Sequence, residues 1–379
     1  LRRGVDRVQR GRRGVAGRRP MTAPGPQRAG FLRRGGWIVV AALALATVAF
    51  AFYAAGLVRH RAHPVGDGRR VATYGFSLTP CLVARELLVA SGMPKDGLSA
   101  LEDPPPWTVA QADAATVGHG RFLVPGDRVI GVRLGGAARA YPLRVLVWHE
   151  VVNDTLGGVP VAVTYDPLCD SAVAFRREVR GERLTFGVSG LLFDSNLLMY
   201  DRRTGGKVES LWSQMLFRAV AGPAAAAGDV LEVLPISVET WADWRQEHPD
   251  TTVPAPDPRM MERYVSDPYA SYVASDLLRF PVAPLPAPSA LPPKTPVVAL
   301  GGPGGWTAFP VPTLATPAAG PEPGRAPPGP WRALLSFRPA GPTVAVATDR
   351  LPPGTAVVYA SYFAWYAMHN AETVWAGVR

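Results

Sequence analysis

Hydrophobic and polar positions along the chain change their rhythm three times. Trp37 to Leu57 is 21 residues without a charge or a proline, and at about 1.5 Å per residue a helix of that length spans about 30 Å of hydrocarbon. Residues 58–84 are polar and basic and read as a stalk and linker, with a short helix expected over Cys81 to Ala90, ended by Ser91-Gly92-Met93-Pro94. From Arg128 onward the apolar runs become short and are punctuated by glycine turns. Val129–Leu134, Gly135-Gly136 and Ala137–Tyr141 predict a β-hairpin. Val159–Tyr165, Ala172–Phe175, Leu184–Val188, Asn196–Asp201, Lys207–Trp212 and Val230–Leu234 read as further strands, whereas Leu143–Val152 fits a short helix or a strand. Thr240–His248 has a threonine cap and a following proline, which predicts a helix.

Residues 281–330 are dominated by proline, glycine and alanine and read as an excursion without packed structure. Pattern returns at Trp331–Phe337, Val344–Ala347 and Ala356–Trp365, too little to bury a core alone, so these segments are expected to close the same β domain. The organisation that follows is a basic tail (1–36), a transmembrane helix (37–57), the stalk and linker (58–84) and one β-rich domain (85–379). The predicted fold class is mainly β, as antiparallel sheets or a partly open barrel, with short helices. No βαβ alternation, glycine-rich dinucleotide fingerprint or P-loop is present, which argues against a nucleotide-binding fold.

Charge assigns a direction to the helix. The first 34 residues hold eleven arginines and one aspartate, and the rest of the chain holds 29 basic and 29 acidic residues, so the whole net charge of +10 lies in the tail. By the positive-inside rule the N-terminus is cytoplasmic and the main domain extracytoplasmic. A cleaved signal peptide is the competing reading, but the apolar run is long for one and lacks a small-x-small site after it. A neutral exported part gives no reason to expect nucleic acid as a partner. The expected partner of residues 37–57 is the cell membrane.

Two cysteines in 379 residues exclude a disulfide scaffold, although Cys81 and Cys169 could pair. Cys169 ends the tetrad Asp166-Pro167-Leu168-Cys169, which falls 16 to 20 residues after His149-Glu150 and lies in a polar turn between two apolar runs. Reactive side chains concentrate here. Cys169 with His149 as base and Asp154 or Glu150 as orienting group would form a nucleophilic pair, although Asp166 and Asp170 would raise the thiol pKa. The same neighbourhood offers thiolate, imidazole and carboxylate ligands in Cys169, His149, Asp166 and Asp170, a set suited to copper or zinc. Ser189, Asp201, Trp212 and Gln214 are candidates to line the cleft. Buried cysteine and packed histidine remain the plain alternatives for Cys169 and His149. The Gly-x-Ser-x-Gly elbow of a serine hydrolase is missing.

The segments Val129-Ile130-Gly131-Val132, Ala140-Tyr141-Pro142-Leu143, Trp148-His149-Glu150-Val151-Val152-Asn153-Asp154 and Val163-Thr164-Tyr165-Asp166-Pro167-Leu168-Cys169 resemble a bacterial and archaeal family called domain of unknown function 3179. Met199-Tyr200-Asp201, Ser210-Leu211-Trp212-Ser213-Gln214, Trp241-Ala242-Asp243-Trp244 and Phe363-Ala364-Trp365 with His369 continue the resemblance. Members of that family usually carry Cys-Pro-Leu-Cys at the tetrad, some with selenocysteine, which implies redox or soft-metal chemistry. This chain has Asp166 in place of the first cysteine, so a two-thiol cycle within the tetrad is impossible. Two functions follow as expectations. One is thiol redox or soft-metal binding in a Cys169, His149 and Asp166 cleft, with an external thiol or redox partner resolving an oxidised Cys169. The other is a non-enzymatic structural or ligand-binding envelope module that has lost the two-thiol chemistry.

Overall fold

The structure, a computed structural model, describes residues 36–62, 64–203, 207–287, 291–302, 305–315, 329–339, 341–369 and 373–374. The expected basic tail and the Thr204-Gly205-Gly206 turn lie outside the described residues, apart from Gly36. The chain divides into two units between Ala62 and His63. In the first, Gly36–Ala62 is one helix. Its Gly36–Ala54 stretch is long and apolar enough to cross a membrane, and it is the one such helix among the described residues.

The second unit is built on three sheets. Arg128–Leu134 and Ala137–Pro142 form the predicted hairpin, closed by Gly135 and Gly136 at φ 56° and 79°. Two successive positive φ values give the turn a twist that matches the strands it joins. Ile236–Thr240 pairs antiparallel with the first strand, Thr252–Pro254 pairs parallel with the second, and Pro106–Thr108 completes this sheet. Trp244, on the helix Trp241–Glu247, covers the sheet so closely that a methyl group on Gly131 would lie 2.1 Å from its ring.

The largest sheet runs in the order Leu101–Glu102, Val151–Leu156, Val159–Asp166, Ser171–Arg176, Ala356–Ser361, Pro296–Gly302, Gly305–Pro310 and Thr373–Val374, with Glu232–Leu234 also paired to Ser171–Arg176. Alternate residues of its strands enter two different cores. Val152, Val161, Val163, Val298, Leu300 and Val357 pack with Ile130, Val132 and Ile236 of the hairpin sheet. Val151, Ala162, Val173, Val297, Ala299 and Val358 pack on the opposite face with Phe186, Val188, Leu197, Met199 and Trp212. The last five belong to the third sheet, ordered Leu88–Ala90, Phe186–Phe193, Asn196–Asp201, Leu211–Ser213 and Arg218–Ala221. A sheet buried on both faces needs apolar residues at every position. That is why the runs Val161-Ala162-Val163 and Val297-Val298-Ala299-Leu300 lack a polar alternation.

The fold is therefore mainly antiparallel β with short helices. Three local expectations change. The segment read as stalk is folded in its latter part: Tyr74 is 1% exposed, and Leu82 donates its N–H to the Val220 carbonyl at 2.8 Å. The helix expected over 81–90 gives way to a single 3₁₀ turn, Arg85–Leu87, and the strand Leu88–Ala90, because that stretch pairs with Phe186–Phe193 as the edge strand of the third sheet. The proline-rich excursion contains two strands of the largest sheet, Pro296–Gly302 and Gly305–Pro310, and the helix Val311–Ala315. Its prolines at 292, 293 and 296 end at the strand's first residue, where no ladder donor is lost. Residues 316–328 of the excursion lie outside the described residues.

Candidate functional site

The tetrad forms the loop of the hairpin Val159–Asp166/Ser171–Arg176, whose last pair is Asp166 with Ser171. Asp166 is 1% exposed, and all its acceptor capacity is directed at the protein. Its Oδ1 accepts the Leu168 N–H at 2.8 Å, and its Oδ2 accepts the Leu197 N–H at 2.7 Å and the Asn196 side-chain amide at 3.0 Å. The carboxylate thus folds the loop over itself and fastens it to the neighbouring sheet. Burial pushes its pKa up to about 6, against the pull of these hydrogen bonds.

Beneath Asp166 the polar side chains close on one another. Asn196 also donates to Ser171 Oγ at 3.1 Å and to Gln214 Oε1 at 2.8 Å, and Ser171 Oγ donates to the same Gln214 oxygen at 2.6 Å. Gln214 donates to Thr164 Oγ1 at 2.9 Å, which donates to the Val173 carbonyl at 2.8 Å. Gln214, expected in a cleft wall, is completely buried. Ser189 donates to the Leu198 carbonyl at 2.5 Å and receives the Leu191 N–H at 3.0 Å, within its own strand bend. Asp201 receives the Ser210 N–H at 2.6 Å and pairs with Arg203 at 2.7 Å. Trp212 packs edge-on to Phe186 at 5.6 Å in the core.

Cys169 has no exposed surface. Its Sγ donates to the Ser195 carbonyl at 3.3 Å, and it packs with Phe363 and Ala364, flanked by Leu278 and Val282. Burial, and then the Asp166 charge, push the thiol pKa well above its ordinary value. Cys81 and Cys169 are both free thiols.

His149 lies at the end of the helix Leu143–His149, and both its ring nitrogens are engaged away from the tetrad. Nδ1 is 2.6 Å from the Ser99 carbonyl and Nε2 is 2.6 Å from the Tyr264 hydroxyl. Burial lowers its pKa, so the ring is neutral at physiological pH. Asp170 turns to the other side of the loop, where Arg128 holds it at 3.1 Å and the Tyr165 hydroxyl donates to it at 2.8 Å. The structure therefore brings Asp166 together with Cys169 and with the Gln214 network, and directs His149 and Asp170 to other partners. Among the described residues no group of three or more His, Cys, Asp and Glu side chains is gathered to hold a metal ion. The donor set named for copper or zinc does not fit this arrangement.

The side chain that sequence reading passed over as a ring-orienting group is Glu150. It has φ 56°, a left-handed backbone that a residue with a side chain rarely adopts. Its N–H donates to the Leu146 carbonyl at 2.7 Å and its carbonyl receives the Tyr165 N–H at 2.9 Å, so the helix end and the strand start fix it from both sides. The carboxyl is 8% exposed by residue and makes no hydrogen bond or ion pair among the described residues. Burial, and then the Asp166 charge, push its pKa well up. It lines a cavity of about 50 Å³ together with Leu168, Leu192, Leu197, Tyr269 and Arg279. Two walls, Leu168 and Leu197, are the residues whose N–H groups Asp166 holds. The position of Glu150 beside His149 was the one available signal. Tyr269 and Arg279 come from a distant loop and carried none.

Residues 95–321 match the model of a family described as a protein of unknown function, DUF3179. No curated protein and no solved structure matches the chain.

Proposed function

The chain belongs to the family of unknown function DUF3179, and from that premise we propose that it is a membrane-anchored ligand-binding module of the extracytoplasmic compartment, in which the tetrad shapes a binding cavity and performs no thiol chemistry. The observation that carries this is the contrast between two neighbouring groups. Cys169 is sealed and protonated, and Asp166 accepts three N–H donors, whereas Glu150 beside them lines a cavity and its carboxyl has no hydrogen-bond or ion-pair partner among the described residues. Reactive cysteines are thiolates in partly exposed, electropositive surroundings, and Cys169 has the opposite environment. A soft-metal site needs converging ligands, whereas His149 and Asp170 are drawn into separate hydrogen bonds. The eleven arginines ahead of the membrane-length helix support an external location.

Two measurements test this. A topology reporter joined after residue 70 should be active outside the cytoplasm, and activity inside would overturn the location. Purified full chain and its Cys169→Ser variant should contain equal, substoichiometric copper and zinc. Stoichiometric metal lost in the variant would restore the metal site in place of the binding module.

A further inference from the structure

We propose that the cavity beside Glu150 is a binding site for a short-chain carboxylate, which enters head first between the Glu150 carboxyl and the Arg279 guanidinium; this rests on the ligand-binding function above and names its ligand class. Glu150 and Arg279 are the acid and the base in the lining of this cavity. Glu150 is held in a left-handed conformation by backbone hydrogen bonds on both sides. Such a conformation is unfavourable and persists where the surroundings over-determine it. A buried carboxyl without a partner is itself unfavourable, so this residue combines two local penalties at one cavity.

Arg279 supplies the second polar group. It is exposed, and its guanidinium lies over the rings of Tyr269 at 6.0 Å and Tyr272 at 5.2 Å, with no carboxylate ion-paired to it among the described residues. The remaining walls are largely apolar, including Leu168, Leu192 and Leu197. Asp166 acts on Glu150 through its charge, and Tyr269 and Arg279 line the same cavity as Glu150. Burial and the Asp166 charge favour the protonated form of Glu150, which offers an O–H, and Arg279 offers N–H groups. A site that presents donors and a positive charge suits an anionic acceptor, and a carboxyl–carboxylate hydrogen bond is of the strong, charge-assisted kind. Arg279 opposes a cation at the same place.

Size narrows the ligand. A cavity of about 50 Å³ is roughly a third of the 150 Å³ that holds benzene. It takes a carboxylate head group, and excludes a ring. The alkyl remainder then lies against the leucines or projects past Arg279, which limits the class to acetate, propionate and their near relatives.

Saturation-transfer NMR on the full chain in detergent micelles, with acetate, propionate and methylammonium as probes at pH 7, tests the assignment. Transfer to acetate and propionate and none to methylammonium is expected. Arg279→Ala, at an exposed position, should weaken propionate at least about tenfold, and Glu150→Leu should abolish its signal. Raising the pH until Glu150 ionises should release the carboxylate. Transfer to methylammonium, silence with both carboxylates, or an Arg279→Ala protein that binds propionate within about twofold of the parent would overturn the proposal. Should Glu150→Leu fail to fold, Arg279→Ala decides alone. A protein that ignores propionate yet keeps Cys169 inert and free of metal refutes the ligand class only, whereas a reactive or metal-bound Cys169 refutes the function it rests on.

Discussion

With Cys81 replaced by serine, the thiol of Cys169 can be followed alone, and its reaction with a disulfide reagent such as DTNB measures how completely the fold withholds it. Two effects slow the reaction. An ordinary cysteine with pKa about 8.5 is about one-quarter thiolate at pH 8, and each unit of upward shift removes about tenfold of that. Burial and the Asp166 charge both shift Cys169 upward. Access is the larger effect. Cys169 has no exposed surface and lies against Phe363 and Ala364, with its carbonyl bonded to the Ser361 N–H at 2.7 Å. Reagent can reach it only when this part of the core opens. Domain cores open with free energies approaching the global stability of about 5–15 kcal/mol, and every 1.4 kcal/mol is tenfold, so even the lower limit gives a factor above about 10³. Native Cys81→Ser protein should therefore label at least about 10³-fold more slowly than free cysteine, while the denatured protein yields one thiol per chain. Stoichiometric native labelling within about tenfold of free cysteine would refute both the sealed thiol and the structural role assigned to it.

Further outcomes follow from the same contacts. Asp166→Asn keeps one acceptor but turns an amide against N–H donors, and should destabilise the fold by about 2–5 kcal/mol. Because the folded-state pKa of Asp166 is raised to about 6, the folded parent holds its proton more tightly than the unfolded chain, and this group's contribution to stability falls as pH rises from about 4 to about 6. That loss is about 3 kcal/mol, and the amide variant escapes it, so the difference between the two proteins in urea unfolding should be larger at pH 4 than at pH 7; an equal gap at both would disprove the assignment. Gln214→Leu removes the acceptor shared by Ser171 and Asn196 and should lower stability by about 2–4 kcal/mol, a loss below about 0.5 kcal/mol being inconsistent with these buried hydrogen bonds. Gly131→Ala should cost at least about 2 kcal/mol through its clash with the Trp244 ring, read as a lowered unfolding midpoint with altered tryptophan emission; an unchanged midpoint would contradict the close approach.

Much of the fold was legible because the hairpins obey local rules. Gly135-Gly136 announces its turn, and Thr240 caps its helix through the Asp243 N–H at 3.2 Å, as its residue type suggests. The strands Pro296–Gly302 and Gly305–Pro310 were hidden, since prolines crowd their approach and their apolar run has no period when both faces are buried. Of the residues singled out in the sequence, Asp166 and Gln214 meet in one buried network through Asn196. Side-chain direction was not legible. His149 is only a residue away from Glu150, yet the helix ending at His149 sends the imidazole to Tyr264, whereas Glu150, at a left-handed turn, lines the cavity. No linear pattern encodes that divergence, because it depends on the strand that follows.

The same geometry explains why aspartate can occupy a position where the resemblance implies cysteine. Whatever stands at 166 faces the N–H groups of Leu168 and Leu197 and the amide of Asn196, three donors that suit an anion. A carboxylate meets this requirement with two oxygens, as a thiolate would with one sulfur. The exchange retains the hydrogen bonds that fold the loop and removes the second thiol on which exchange chemistry depends. The burial of Cys169 against Phe363 and the cavity beside Glu150 both adjoin this anchored loop: Asp166 draws Leu168 and Leu197 together by their backbones, and those two residues line the cavity that Glu150 also lines.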